Sequence, residues 1–155
     1  MYKVVALGGT FDHFHKGHRE MIDRAFELGN HVIIGITTDD FVKRLGKSPD
    51  WPFAKRRDAV EKYVKAKFPN RSYELAPLDD FFGPAALRRD VEAIVVSPGT
   101  AERVALLNGL RAERGLPPVR PVEVPYVIGE DGLPISSTRI RRGEIDEEGR
   151  IIDQG

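Results

Sequence analysis

Within the first 37 residues a short apolar run, Lys3–Leu7, is followed by a glycine-rich stretch, a helical period over Arg19–Leu28 and a second apolar run, His31–Thr37. Runs that are apolar at consecutive positions suit strands covered on both faces, as in a parallel sheet. Arg19–Leu28 carries Met21, Ile22, Ala25, Phe26 and Leu28 at helical spacing, and Gly29-Asn30 is expected to close that helix as a C-cap. Strand, loop, helix and strand in this spacing form a right-handed βαβ unit. The alternation continues with a helical period over Phe53–Phe68, a weak strand at Ser72–Ala76, and a short helical piece around Ala85–Arg89. After these come a buried strand at Ala93–Val96, a helix over Ala101–Arg114, an extended Val119–Val127 and a helical turn from Pro134 through Arg142. The expected fold class is α/β, a doubly wound parallel sheet in a single domain over residues 1–155, with Gly143–Gly155 as a loosely ordered tail. In such sheets ligands bind outside the carboxyl ends of the strands. Residues 8–18, 37–47 and 97–103 are the loops expected at that edge, and the Ser136-Ser137-Thr138 turn can reach it.

The sequence excludes several classes of function. It has 155 residues, with 24 basic and 24 acidic side chains and no cysteine. A balanced charge argues against bulk DNA or RNA as a partner, because counter-ion release needs a basic face. Without cysteine there are no disulfides, thiolate nucleophiles or cysteine-ligated zinc. No apolar stretch approaches the roughly 20 residues needed to cross a bilayer. The opening MYKVVALGG reads as a strand and not as a signal peptide, so a cytoplasmic chain with no membrane partner is expected.

The stretch GGTFDHFHKGH, residues 8–18, places three of the four histidines within six positions. One reading is metal: His13, His15 and His18 echo the H-x-H-x-D-H run of metallo-β-lactamase-like hydrolases. Gly17 stands where that motif has aspartate, however, and no histidine or cysteine follows His31 to complete a zinc site. The other reading is an anion site. His15 and His18, three apart at a helix start, share one face. The helix N-terminus offers unpaired N–H groups and the positive end of a dipole. Gly8 and Gly9 permit a tight exit from the strand, Gly17 allows an anion to approach the backbone, and Thr10 supplies a hydroxyl. The residues themselves lead as far as an anion site at a helix start.

The same string closely resembles the nucleotidyltransferase superfamily with the (H/T)-x-G-H signature, here His15-Lys16-Gly17-His18. A second motif of that superfamily, I-S-S-T-x-x-R, stands as Ile135 to Arg141. The resemblance covers nearly the whole chain and is strongest to phosphopantetheine adenylyltransferases of the archaeal and eukaryotic type, whose V-S-x-x-T pattern is matched by Val96, Ser97 and Thr100. It implies a Rossmann-like fold and transfer of AMP from ATP to 4′-phosphopantetheine with Mg2+. It implies further that His18 stabilises the α-phosphate in the transition state and that Lys43 binds phosphate. Thr10 would hold the acceptor phosphate or the α-phosphate, and Ser136, Ser137 and Thr138 would bind the β- and γ-phosphates, assisted by Arg139 or Arg141. Gly9, Phe11, His15, Gly17, Gly99 and Asn108 complete the expected ATP-binding set. Thr10, Lys43, Ser97 and Arg103 are the expected acceptor-binding set, and no metal-ligating residue is assigned. Bacterial members carry R-G-L-R where Ser97-Pro98-Gly99-Thr100 stands, so one acceptor-phosphate arginine is missing; Arg103 and Lys47 are the candidates to replace it. The hexamer of the bacterial form is not transferred, and a monomer is expected.

Other residues have plainer readings. Lys55-Arg56-Arg57 and Arg88-Arg89 read as solvated faces, Asp12 as a loop-fixing side chain, Trp51 as a loop or core anchor, and Phe11 and Phe14 as packing under the loop. Within the superfamily the rivals are glycerol-phosphate cytidylyltransferases and flavin-forming adenylyltransferases, which often carry R-T-x-G-I-S-T-T where this chain has Glu130 to Thr138 without the R-T. A metal-dependent hydrolase and a non-catalytic nucleotide-binding protein are the alternatives from other classes.

Overall fold

A computed structural model describes residues 1–152. Five strands form one parallel sheet: β1 (Tyr2–Gly9), β2 (Gly29–Thr37), β3 (Ser72–Leu78), β4 (Val91–Val96) and β5 (Arg120–Glu123), in the order β3-β2-β1-β4-β5. Every neighbouring pair is parallel, with Val5 opposite Val32 and Leu7 opposite Ile34 across the β1–β2 ladder. Side chains alternate between two cores. Val5, Leu7, Val32, Ile34 and Ile36 pack with Ile22, Phe26, Val60 and Val64 of α1 (Lys16–Leu28) and α3 (Phe53–Lys67). Val4, Ala6 and Ile33 point to the opposite face, against Val104 and Leu107 of α4 (Arg103–Glu113) and Ala85 of the 3-10 turn Gly83–Ala86. Helices on both faces make the sheet doubly wound and Rossmann-like, and strand order reverses between β1 and β4. The crevice outside the ends of those two strands is where such a sheet binds ligands.

Four expectations are corrected and one is refined. Gly29 closes α1 as expected, its N–H donating to the Ala25 carbonyl, but its φ is −118° and it is also the first residue of β2, so α1 runs directly into the strand. Glycine is required there by close packing, since a Cβ would lie 2.8 Å from Val5 Cγ2. The loop 37–47 contains a helix, α2 (Asp39–Arg44), capped by Thr38 Oγ1, which accepts from the Phe41 N–H. The helical piece at 85–89 is the 3-10 turn of residues 83–86, and the extended run 119–127 is a strand only over residues 120–123.

The tail, finally, is docked rather than loose. Ile145 is fully buried and bridges Ile151, and the Glu147 carbonyl accepts from the Lys16 N–H at the start of α1. Arg19 pairs with Glu148. Residues 153–155 of the expected tail lie outside the described residues. No described helix is long and apolar enough to cross a membrane.

Candidate active site

Residues 10–15 form the turn between β1 and α1. Phe11 and His13 both adopt left-handed backbone, with φ of 58° and 47°. For non-glycine residues this costs on the order of 1–2 kcal/mol each, so other contacts must hold the turn. The Phe11 ring is buried in the core. The Asp12 carboxylate accepts from the backbone N–H groups of Asp50 (3.0 Å) and Trp51 (2.9 Å). Ser137 Oγ donates to the Asp12 carbonyl at 2.5 Å. Asp12 therefore does fix the turn, through the distant loop before α3 rather than through its own neighbours. Ser137 ties the second motif to the first.

The same turn sets the state of both histidines at the start of α1. His15 caps the helix: its Nδ1 accepts from the Gly17 N–H at 3.0 Å. His18 returns the contact, its Nδ1 accepting from the His15 N–H at 3.1 Å. A neutral imidazole that accepts at Nδ1 carries its proton on Nε2, so both rings present an Nε2–H donor. The rings stack at 3.7 Å. Burial holds the His15 imidazole down to about 4, helped by the charges of Arg19 and His13. Burial likewise holds His18 well below the usual histidine value, with His15 and Arg19 adding to it. Both are thus neutral donors at pH 7. Gly17 has a further reason beyond the one read in the sequence. A Cβ there would lie 2.9 Å from His15 Cε1 and 3.1 Å from Nδ1, so only glycine lets its N–H reach the capping ring.

Two cavities flank the end of β1. The first, of about 230 Å³, is bordered by His15, Gly17, His18, Ser136 and Ser137, with Tyr126 on its wall. It brings the two sequence motifs together. Ser136 Oγ caps α5 (Ser137–Arg141), accepting from the Arg139 N–H. The second cavity, also about 230 Å³, has an apolar lining that includes Phe41, Leu78, Phe82 and Leu107. Gly9, Thr10, Lys47, Thr100 and Arg103 border it as well. The Arg103 guanidinium sits 3.9 Å over the Phe81 ring at this cavity. An anion cradle of neutral donors thus adjoins a greasy slot with cations at its edge.

Not every expected site residue falls where the sequence placed it. Ser97 borders the histidine cavity and not the apolar one, whereas Gly9 does the reverse. The Phe11 ring lies under His18 at 5.2 Å and supports it from the core rather than facing a ligand. Lys43 is exposed on α2, in a separate open depression that shares Lys47 with the apolar cavity. The Gly99 N–H donates to Tyr126 Oη at 3.1 Å. Thr138 is exposed and outside the lining of the histidine cavity. Asn108 is engaged elsewhere: its amide donates to the Val119 carbonyl (3.1 Å) and accepts from the Val119 N–H (2.8 Å), tying α4 to the approach to β5. The Arg139 guanidinium pairs with Asp131 and Glu144 and donates to the carbonyls of Leu133 and Pro134, so it braces the turn before α5 and is not a free cation. Arg141 bridges Asp12 and Asp50.

The metal reading of the three histidines is corrected on geometry. Nδ1 of both His15 and His18 is taken by backbone N–H groups, while His13 turns away to Asp50 at 2.6 Å. Among the described residues Asp12, His13 and Asp50 have ligand atoms within 4.8 Å of one another. Both carboxylates already accept from the Arg141 guanidinium, and Asp12 also from two backbone N–H groups, so the group does not fit a bound cation.

Sequence reasoning missed Arg56, read as solvated. Its guanidinium is fully buried and donates to the carbonyls of Trp51 (2.9 Å), Thr10 (2.9 Å) and Thr37 (2.7 Å) and to Asp39 Oδ1 (2.7 Å). The signal was present: Arg56, Val60 and Val64 recur at every fourth position, which puts the arginine on the buried face of α3. Neighbouring Lys55 lies 4.3 Å over the Trp51 ring, which anchors this loop as expected.

Residues 6–143 match the family model described as cytidylyltransferase-like. A phosphopantetheine adenylyltransferase from Methanopyrus kandleri is 46% identical over 147 residues, 94% of this chain and 92% of that protein. A bifunctional phosphopantetheine adenylyltransferase/NTP phosphatase from Thermoplasma volcanium is 44% identical over 149 residues; the match spans 96% of this chain and only 45% of that longer protein. Among solved structures, a protein of unknown function from Archaeoglobus fulgidus superposes with a TM-score of 0.69 at 34% identity, covering 80% of this chain and 99% of that one.

Proposed function

The chain belongs to the cytidylyltransferase-like family, alongside the archaeal phosphopantetheine adenylyltransferases, and from that membership we propose that it transfers AMP from ATP to 4′-phosphopantetheine. The products are dephospho-coenzyme A and pyrophosphate, a step of coenzyme A biosynthesis. The observation that carries this reading is the pair of cavities on either side of the β1–α1 turn. One offers neutral N–H and O–H donors, and the other an apolar slot bordered by Thr10, Lys47 and Arg103. An acceptor with a phosphate at one end and a long uncharged arm matches the second. A triphosphate matches the first.

The chemistry follows from the donors. An oxygen of the acceptor phosphate forms a bond to the α-phosphorus of ATP, and the bond from that phosphorus to the β-phosphate bridging oxygen breaks, releasing pyrophosphate. The acceptor is already an anion, so no base has to remove a proton from it. Positioning and charge stabilisation then make up most of the catalysis. His18 Nε2–H donates to an α-phosphate oxygen as charge builds on it, with His15 beside it. Ser136 Oγ–H meets the outer phosphates, while the Ser137 hydroxyl, its hydrogen on the Asp12 carbonyl, holds the turn beside them. Thr10 holds the acceptor phosphate, with Lys47 and Arg103 beside it and Lys43 approaching from the adjoining depression. A divalent cation of the Mg2+ kind would come with ATP and supply charge neutralisation of its phosphates, and no carboxylate among the described residues is assigned to hold it.

Pyrophosphate release with ATP or CTP, measured against a panel of phosphate acceptors, tests the reading. The expected result is turnover with ATP and 4′-phosphopantetheine and little with glycerol phosphate, flavin mononucleotide or nicotinamide mononucleotide. Turnover with one of those three and none with 4′-phosphopantetheine would reverse the assignment. Binding of ATP without pyrophosphate release from any acceptor would point to a non-catalytic protein.

A further inference from the structure

Thr37, at the end of β2, is absent from every expected site set, yet it borders the apolar cavity together with Thr10. β1 and β2 pair in register up to Gly9 and Ile36, which sets the two following threonines side by side. Their hydroxyl oxygens are 3.0 Å apart, in a geometry that makes Thr37 the donor and Thr10 the acceptor. The direction has a cause. Arg56 Nη1 donates to the Thr37 carbonyl and approaches Thr37 Oγ1 at 3.4 Å. A guanidinium has only hydrogens to offer, so the oxygen of Thr37 faces the cation and its hydrogen turns towards Thr10. A hydroxyl has one hydrogen. With one of its two lone pairs engaged by Thr37, Thr10 keeps its own hydrogen to point into the cavity.

We infer that Arg56 and Thr37 are positioning residues that fix the Thr10 hydroxyl as a donor aimed into the apolar cavity, so that the site selects an acceptor presenting a phosphate, whose oxygens only accept. The inference rests on the acceptor reading of that cavity. It adds two residues and a direction of hydrogen bonding. Thr37 touches no substrate in this scheme; it acts through Thr10. The gain is that no rotamer of Thr10 has to be selected when the ligand arrives, and the donor is polarised by the buried cation behind it.

The test is calorimetric binding of 4′-phosphopantetheine and of pantetheine, without ATP, to the wild type, Thr37→Val, Thr37→Ser, Thr10→Val and the double valine variant. Thr37→Val keeps the shape and removes the hydroxyl, with Thr37→Ala as a second variant of the same sign. Wild type is expected to prefer the phosphorylated ligand. Thr37→Val should lower that preference about three- to tenfold, the range of one hydrogen bond. Thr37→Ser should restore it, and in the Thr10→Val background the Thr37 change should have no further effect. If Thr37→Val keeps the wild-type preference, or if the two losses simply add, the relay is wrong and the acceptor reading stands. If wild type binds both ligands equally, the acceptor reading fails and the relay falls with it.

Discussion

His18→Ala is expected to lower kcat for pyrophosphate release by about 10²–10³-fold, equivalent to roughly 3–4 kcal/mol of transition-state stabilisation. The Nε2–H is aimed where charge develops and adds little to the ground state, so KM for either substrate should change far less than kcat. The neutral state of the ring has a consequence here. A donor that is not an imidazolium is not lost as pH rises through the ordinary histidine range, so the wild-type rate should show no fall near pH 6.5 attributable to this residue. His18 also has a structural part, since its Nδ1 accepts the His15 N–H and its ring stacks on Phe14. His18→Asn separates the two, because its amide oxygen can accept in place of Nδ1. It should keep a near-native unfolding midpoint and still lose most of its kcat. A variant of either kind turning over at close to the wild-type rate removes His18 from the reacting phosphate.

Arg56→Met is the second large effect, and it falls on stability. Methionine replaces the apolar stem but gives the carbonyls of Thr10, Thr37 and Trp51 no donor. Those three belong to the β1–α1 turn, the end of β2 and the loop before α3, the pieces that meet beneath the two cavities. Loss of about 3–5 kcal/mol is expected from the unpaired groups. The half-exposed Asp39 reaches water and adds little to the loss. Arg56→Lys should recover only a minor part, because a single ammonium cannot span four acceptors that a planar guanidinium reaches at once. Urea unfolding reads this as a lower midpoint at unchanged slope. A shift of less than about 1 kcal/mol would show that water replaces the guanidinium freely and that the turn is held without it.

What was legible in the sequence was what repeats locally. Continuous apolar runs separated by helical periods gave the parallel sheet, and the two motifs named the residues around the histidine cavity. Partnerships across the chain were not legible. Arg139 and Arg141 look alike beside the serine motif, and only the fold shows one bracing Asp131 and Glu144 while the other clamps Asp12 to Asp50. The tail reads as charged and loose because its docking depends on one buried isoleucine, a backbone bond from the Lys16 N–H to the Glu147 carbonyl and the distant Arg19–Glu148 pair. Thr37 carries no motif at all; its place comes from strand register. For α2 and Arg56 the signals were present and underweighted: a threonine cap with two aspartates in the first turn, and a four-residue recurrence with buried valines. Arg111 repeats the lesson on the other face. It is fully buried between α4 and the segment before β4, and it donates to the carbonyls of Ala85, Arg88, Val91 and Pro117.

The most direct test of the central claim is the protonation state of His18, read from two-bond 15N–1H correlations of its ring through a pH titration. With the His15 N–H bound to Nδ1 and the ring buried, the signals should be those of a neutral imidazole protonated on Nε2 throughout the ordinary histidine range, with His15 taking up its second proton only near pH 4. A His18 ring carrying its proton on Nδ1, or one that titrates near the ordinary histidine value, would leave no fixed donor facing the phosphate and would contradict the account.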